Sequence, residues 1–248
     1  MLLTIDIGNT NIKSALFDDD ELNEFKIHSD VESTINYLKS KTFSEAAFCS
    51  VDPKKEKILF DEISKRKISI FGAKIHSTLN LKIKYKTPDT LGIDRICSAV
   101  GAYYFVMKEN IELKDQYILT IDFGTATTIN IVSHEGNFIG GLIAPGIKTM
   151  MKSLTENTAQ LPIPELNSYD GLIGNSTNSS ILSGVFTATI GLINETVNGL
   201  KEMSKGTEPI IFATGGNAEL IIPYLNHKIY HVEALVLKGL KIIYDLNK

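Results

Sequence analysis

The apolar positions of the chain fall into short continuous runs and longer helical stripes, and the two kinds alternate in similar order twice. Leu2–Ile7 is a run broken only by Thr4 and Asp6. Ile12–Phe17 and Glu24–Ile27 follow it and predict a three-stranded meander. Val31–Ser40 has helical spacing behind Ser29 or Asp30 as N-cap. Ala46–Ser50 reads as a buried strand, and Asp52-Pro53 opens a helix that runs to about Lys65, with Pro in its first turn. Ile68–Ile70 and Ile75 predict further strands, Leu81–Tyr85 is extended, and Thr87–Gly92 is a loop by composition. A helix beginning at Asp94 carries Ile96, Ala99, Val100, Tyr103 and Val106-Met107 as its apolar stripe.

Polar residues 108–114 mark the expected boundary between a domain of residues 1–115 and one of residues 116–248. There the pattern starts over. Gln116–Ile121, Thr127–Val132 and Asn137–Ile143 predict a second meander, and Thr149–Thr155 a helix. Ser176–Met203 is a long helix rich in Ser, Ala, Gly and Thr, which predicts close packing on another element. Pro209–Ala213 is a buried strand, Ala218–Ile222 opens a helix, and Val232–Leu246 closes the chain as an amphipathic helix. The expected fold is two similar α/β domains with a cleft between them.

The meanders share a sequence. Leu3-Thr4-Ile5-Asp6-Ile7-Gly8 returns 116 residues later as Leu119-Thr120-Ile121-Asp122-Phe123-Gly124, identical at five of six positions. Each copy is followed by small polar residues, Asn9-Thr10-Asn11 and Thr125-Ala126-Thr127-Thr128. A carboxylate at the end of a buried strand needs hydrogen-bond donors or a cation. Gly permits close backbone approach, and turn N–H groups can hold phosphate oxygens. Asp-x-Gly alone is common in ordinary turns; its repetition at nearly half the chain length points to paired polyphosphate sites facing the cleft.

Composition narrows the alternatives. The chain is 43% hydrophobic and 22% charged with net charge −4, and so offers no basic footprint for nucleic acid. The basic runs Lys54-Lys55 and Lys65-Arg66-Lys67 read as solvated helix faces, and Asp18-Asp19-Asp20 as an exposed hairpin tip. No apolar run of membrane-span length and no leader signal is evident, which predicts a cytoplasmic protein. Cys49 and Cys97 read as free thiols. Walker-type and dinucleotide Gly motifs are absent, and no His stands in a hydrolase-like motif.

Three further stretches carry chemistry. Leu91-Gly92-Ile93-Asp94-Arg95 sets a carboxylate beside a guanidinium where loop becomes helix; it is either a helix cap with a surface Arg or a base with an anion clamp. Gly174-Asn175-Ser176-Thr177 offers hydroxyls at a helix start, where plain N-capping serves equally well. Thr214-Gly215-Gly216 ends a strand and allows a flat or phosphorylated ligand to come close.

Together, Asp6–Asn11, Leu91–Arg95, Asp122–Thr127, Gly140–Gly146 and Ala213–Gly216 resemble type III pantothenate kinases, in the family's order and over nearly the whole chain. These kinases belong to the acetate kinase, sugar kinase, heat-shock chaperone and actin superfamily. The resemblance implies duplicated ribonuclease H-like, actin-like ATPase domains. It implies phosphorylation of pantothenate by ATP in a homodimer, without nucleic-acid or membrane partners. It assigns Asp6, Ile7, Gly8, Asn9, Thr10, Asn11, Ile12, Lys13 and Thr125 to ATP. Asp94 becomes the proton acceptor, and Tyr85, Gly92, Ile93, Asp94, Arg95 and Thr177 contact pantothenate. Asp122 would hold potassium or ammonium, and magnesium accompanies ATP. Arg95 could hold the pantothenate carboxylate or a phosphate oxygen. Two positions depart from the family pattern: Thr87-Pro88 replaces Asn-Pro, and Asn175-Ser176 replaces Lys-Asn ahead of Thr177. Family members have also been described as Bvg accessory factors, and sugar or acetate kinases share the superfamily. A regulator would not need Asp94-Arg95, and the chain lacks the insertions of most sugar kinases.

Overall fold

Strand β1 (Leu2–Ile7) is buried at every position, as an apolar run covered on both faces should be. In the computed structural model, which describes residues 1–248, it is the middle strand of a five-stranded sheet. It pairs antiparallel with β2 (Ile12–Asp18), which pairs antiparallel with β3 (Glu21–His28). On its other side β1 runs parallel to β4 (Glu45–Ser50), and β4 parallel to β5 (Ser69–Gly72). Parallel neighbours require crossovers, which are supplied by α1 (Val31–Lys39) and α2 (Pro53–Ser64). Asp30 closes a reciprocal capping box with Ser33, and Asp52 caps α2 ahead of Pro53. Ile75, expected in a strand, lies in a turn. Asp20 of the acidic hairpin tip is held by lysines, 2.8 Å from Lys241 and 3.7 Å from Lys108.

The second sheet repeats this plan. β7 (Ile118–Phe123) pairs antiparallel with β8 (Ala126–Val132), and β9 (Asn137–Pro145) lies beyond β8. On its other side β7 runs parallel to β10 (Ile210–Thr214), and β10 to β11 (Ile229–His231), a short strand that the sequence pattern does not reveal. The order β9-β8-β7-β10-β11 matches β3-β2-β1-β4-β5. A three-stranded antiparallel meander extended by two parallel strands is the ribonuclease H-like arrangement, and the chain contains it twice.

By compactness the chain divides into two units: Met1–Glu112 with Glu135–Ile139 and Ala234–Lys248, and Leu113–His134 with Gly140–Glu233. The sequence repeat suggests a single cut at 115/116. Compactness instead assigns the terminal helix α7 (Leu235–Leu246) and the first residues of β9 to the first unit. There Asn137 and Phe138 pair with β6 (Lys82–Ile83). Also there, α7 packs on α3 (Ile93–Lys108) at unusually short range. A Cβ at Gly239 would lie 1.7 Å from the Cys97 carbonyl oxygen, and one at Gly101 would lie 3.0 Å from that of Leu235.

The second unit also contains α4 (Ile147–Glu156), α5 (Thr177–Met203) and α6 (Ala218–Ile221). By length and composition α5 could cross a membrane, although it holds no uninterrupted apolar run of that length. Its apolar residues have another use: Leu182, Phe186, Ile193 and Val197 are buried in one core with Leu119, Ile121 and Phe123 of β7. The helix thus packs on the sheet as expected, with Ser183 and Thr189 buried, but its glycines are not the close contacts, because a Cβ at Gly184, Gly191 or Gly199 would meet no atom within 4 Å.

Candidate active site

The first Asp-x-Gly hairpin is a closed turn. Ile7 and Ile12 are buried register partners, and between them the Gly8 N–H donates to the Asn11 carbonyl at 3.1 Å. A Cβ at Gly8 would crowd that carbonyl at 2.9 Å, so the turn needs Gly. Asn9, Thr10 and Asn11 are exposed, whereas Asp6 is buried two residues before Gly8. Asp6 sits in register with Lys13 on one side and Cys49 on the other. Lys13 Nζ lies 3.8 Å from Asp6 Oδ2, and the Cys49 thiol donates to Oδ1 at 3.7 Å. Hydrogen bonding with Cys97 and complete burial push the Cys49 thiol well above its ordinary range, and the charges of Asp6 and Asp94 add to this. Cys49 is therefore a neutral donor beneath Asp6. Both cysteines are free thiols.

At the start of α3 the N-cap is Gly92, and it makes no side-chain cap. Asp94 lies in the first turn, so the helix-cap reading of this residue does not hold. Its carboxylate folds back over Gly92: a Cβ there would lie 2.4 Å from Asp94 Oδ1. Ile93 is buried, and so is Arg95, with 7% exposure. The Arg95 guanidinium lies 5.8 Å from the centre of the Phe138 ring, and Tyr85 meets the same ring edge-on at 6.1 Å. Phe138 thus backs two residues assigned to the substrate. The sequence reading missed it, because an apolar residue in a meander strand carries no signal beyond burial.

In the second unit Asp122 ends the core strand β7, with its Oδ1 shielded from solvent. Gly215, at φ 97°, passes so close that a Cβ would lie 2.4 Å from that oxygen. This explains Gly215 but not Gly216, where a Cβ would meet no atom within 4 Å. The following turn is clamped through its carbonyls. The Thr125 carbonyl accepts from the Gly146 N–H at 2.9 Å and the Thr149 hydroxyl at 2.6 Å, and the Phe123 carbonyl accepts from the Asn217 amide at 3.3 Å. Thr125 itself is exposed. Thr177, capped by Ser176, lines a cavity of about 1000 Å³ with Pro145, Thr149, Leu161 and Ile181. The cap uses Ser176 and Ser179, which leaves the Thr177 hydroxyl out of the capping box.

Asp122 offers a buried carboxylate oxygen, the donor type that hard cations prefer, whereas Asp6 is already faced by the Lys13 ammonium and the Cys49 thiol. The chain holds no cluster of three or more His, Cys, Asp or Glu side chains. Magnesium bound through one or two carboxylates and substrate phosphates needs none.

Two ribonuclease H-like units, each with an Asp at the end of its first strand and a small-residue turn beyond it, are the arrangement of the actin-like ATPase fold. The type III pantothenate kinase family model matches residues 2–199. Curated proteins named type III pantothenate kinase agree over the full length. That of Legionella pneumophila strain Paris is 33% identical, covering 100% of this chain and 99% of its own. That of Finegoldia magna is 34% identical, covering 100% and 98%. The chain belongs to the type III pantothenate kinase family. Among solved structures, a protein of Campylobacter jejuni described as a Baf family transcriptional activator has the same fold. Its TM-score is 0.56 at 20% identity, covering 99% of this chain and 98% of the other.

Proposed function

We propose that the chain transfers the γ-phosphoryl group of ATP to the primary hydroxyl of pantothenate, giving 4′-phosphopantothenate in the first step of coenzyme A biosynthesis. The observation that carries this reading is the start of α3, where the Asp94 carboxylate folds over Gly92 beside the buried Arg95. A regulator that only senses nucleotide has no use for that pair.

Phosphoryl transfer needs little covalent help from the protein; it needs positioning and charge neutralisation. The turn from Asp6 to Lys13 and the hydroxyl of Thr125 hold the ATP phosphates. Asp94 orients the pantothenate hydroxyl and takes its proton as the new P–O bond forms. Arg95, backed by Phe138, holds the pantothenate carboxylate, and Tyr85, Gly92, Ile93 and Thr177 complete the contacts. Magnesium, carried with ATP, and a potassium or ammonium ion at Asp122 offset the phosphate charge. ADP release should be seen with pantothenate and not with acetate or sugars. It should collapse when potassium and ammonium are replaced by a bulky organic cation. Full activity in that buffer would remove the role given to Asp122, and ADP release with a sugar alone would remove the pantothenate assignment.

The working form in this reading is a cytoplasmic homodimer. Leu172 and Ile173 are 69% and 87% exposed, Ile143 and Ile163 are 65% and 59% exposed, and the α5 glycines face open space. Exposed apolar side chains such as these suit burial against a second copy. Light scattering at micromolar concentration is expected to give about twice the mass of 27.3 kDa; a fully active monomer would refute the dimer.

A further inference from the structure

Lys55 belongs to a basic run that composition would leave in solvent. In the fold it lies in the first turn of α2 and reaches the first phosphate turn. Its ammonium donates to the Gly8 carbonyl at 3.0 Å and the Asn9 carbonyl at 2.5 Å, and lies 3.5 Å from Asp52 Oδ2. The ammonium has three N–H donors, and three oxygens surround it. The base of this strut is fixed as well. Asp52 Oδ1 accepts from the backbone N–H groups of Lys54 and Lys55 at 3.1 and 3.2 Å. The Val51 N–H donates to the Ile7 carbonyl at 3.1 Å, which ties the approach to α2 to the end of β1.

The consequence follows from peptide geometry. In a trans peptide the carbonyl of one residue and the N–H of the next point to opposite sides of the chain. Drawing the Gly8 and Asn9 carbonyls toward Lys55 turns the N–H groups of Asn9 and Thr10 to the other face. Successive N–H groups on one face of a turn form an anion-binding concavity. We propose that Lys55 is a positioning residue for ATP. It sets the two peptide planes whose N–H groups receive the phosphates, and its charge stands behind them without touching the nucleotide. This rests on reading the turn as the ATP-phosphate site.

The test compares wild type with Lys55→Met and Lys55→Arg in steady-state kinetics, and follows the backbone amide NMR signals of Asn9 and Thr10 during titration with magnesium-ATP. Lys55→Met is expected to raise the KM for ATP by about tenfold, the scale of one lost hydrogen bond to a charged group. The KM for pantothenate should stay within about twofold, because Lys55 faces the turn and not α3. Lys55→Arg keeps the charge and the donors and should recover most of the loss. The Asn9 and Thr10 amide signals should shift with ATP in wild type and shift less in Lys55→Met. If both proteins give equal shifts and an equal KM for ATP, the role of Lys55 is refuted while the phosphate reading stands. If the wild-type amides do not respond to ATP, the phosphate reading falls and the proposal falls with it. Should Lys55→Met fail to fold, Lys55→Gln, uncharged and shorter, must show the same selective rise for ATP.

Discussion

Replacing Asp94 with Asn is expected to lower turnover by roughly two to four orders of magnitude, the usual contribution of a positioned general base. Asn keeps the shape and one acceptor oxygen but cannot take the proton of the attacking hydroxyl. The affinity for ATP should change little, because the Asp6 hairpin is unaltered. A cap would predict something different, since Asn caps a helix about as well as Asp, but Gly92 occupies the N-cap of α3. The neighbouring glycine provides an independent check. A Cβ at residue 92 would fall 2.4 Å from Asp94 Oδ1, the mobile end of a side chain. In Gly92→Ala the carboxylate can swing away at small cost in stability, but it then no longer points where the base is needed. The melting temperature should move by only a few degrees while turnover falls at least tenfold. Single-turnover rates in the two variants are the measurement. Near-normal turnover in Asp94→Asn would mean that the proton goes elsewhere.

The second large effect is on stability. Gly239→Ala is expected to destabilise the protein by about 3 kcal/mol, at the upper end for overpacking a tight interior. A Cβ there would meet the Cys97 carbonyl at 1.7 Å, and Cys97 belongs to the backbone of α3. Neither partner is a flexible tip, so α7 must move away from α3. Much of the first unit's interior is then loosened, because α7 buries Leu235, Leu237, Leu240 and Ile243. The gain in helix propensity, about 1 kcal/mol for Gly to Ala, offsets only part of this. At about 2–4 °C per kcal/mol in a chain of this size, the melting temperature should fall by about 6–12 °C. The same substitution at Gly199 of α5 is the control. Within the chain no atom lies within 4 Å of the added methyl group, so the isolated chain gains helix propensity with no overpacking and should not lose stability. Equal melting temperatures for Gly239→Ala and wild type would show that the two helices tolerate a wider spacing.

Short-range patterns explain what was legible before the structure. Strand β1, helix α1 with its Asp30 cap and helix α2 behind Asp52-Pro53 follow from residues a few positions apart, where periodicity and cap chemistry operate. The duplicated meander was legible too, since one hexapeptide recurs with a single change and each copy opens a meander, whereas the order of the parallel strands beside it was not. The reasons for the Gly8 and Gly215 positions could be guessed in kind: a turn in one case, a close approach in the other.

What tertiary structure alone decided involves partners far apart in the chain. Lys55 meets a carbonyl 47 residues away, and nothing in a Lys-Lys pair distinguishes that strut from a solvated face. Phe138 backs Tyr85 and Arg95 only because the start of β9 pairs with β6. The terminal helix was legible as a helix, but its place in the first unit was not. That place depends on Gly239 facing the backbone of α3, and a glycine within a helix reads from sequence as a weak point. By itself the sequence determined most of the elements and the motifs that mark the family, because both are written in neighbouring residues. Which charged or apolar side chain supports those motifs was decided by packing, which brings together residues with no sequence relation to one another.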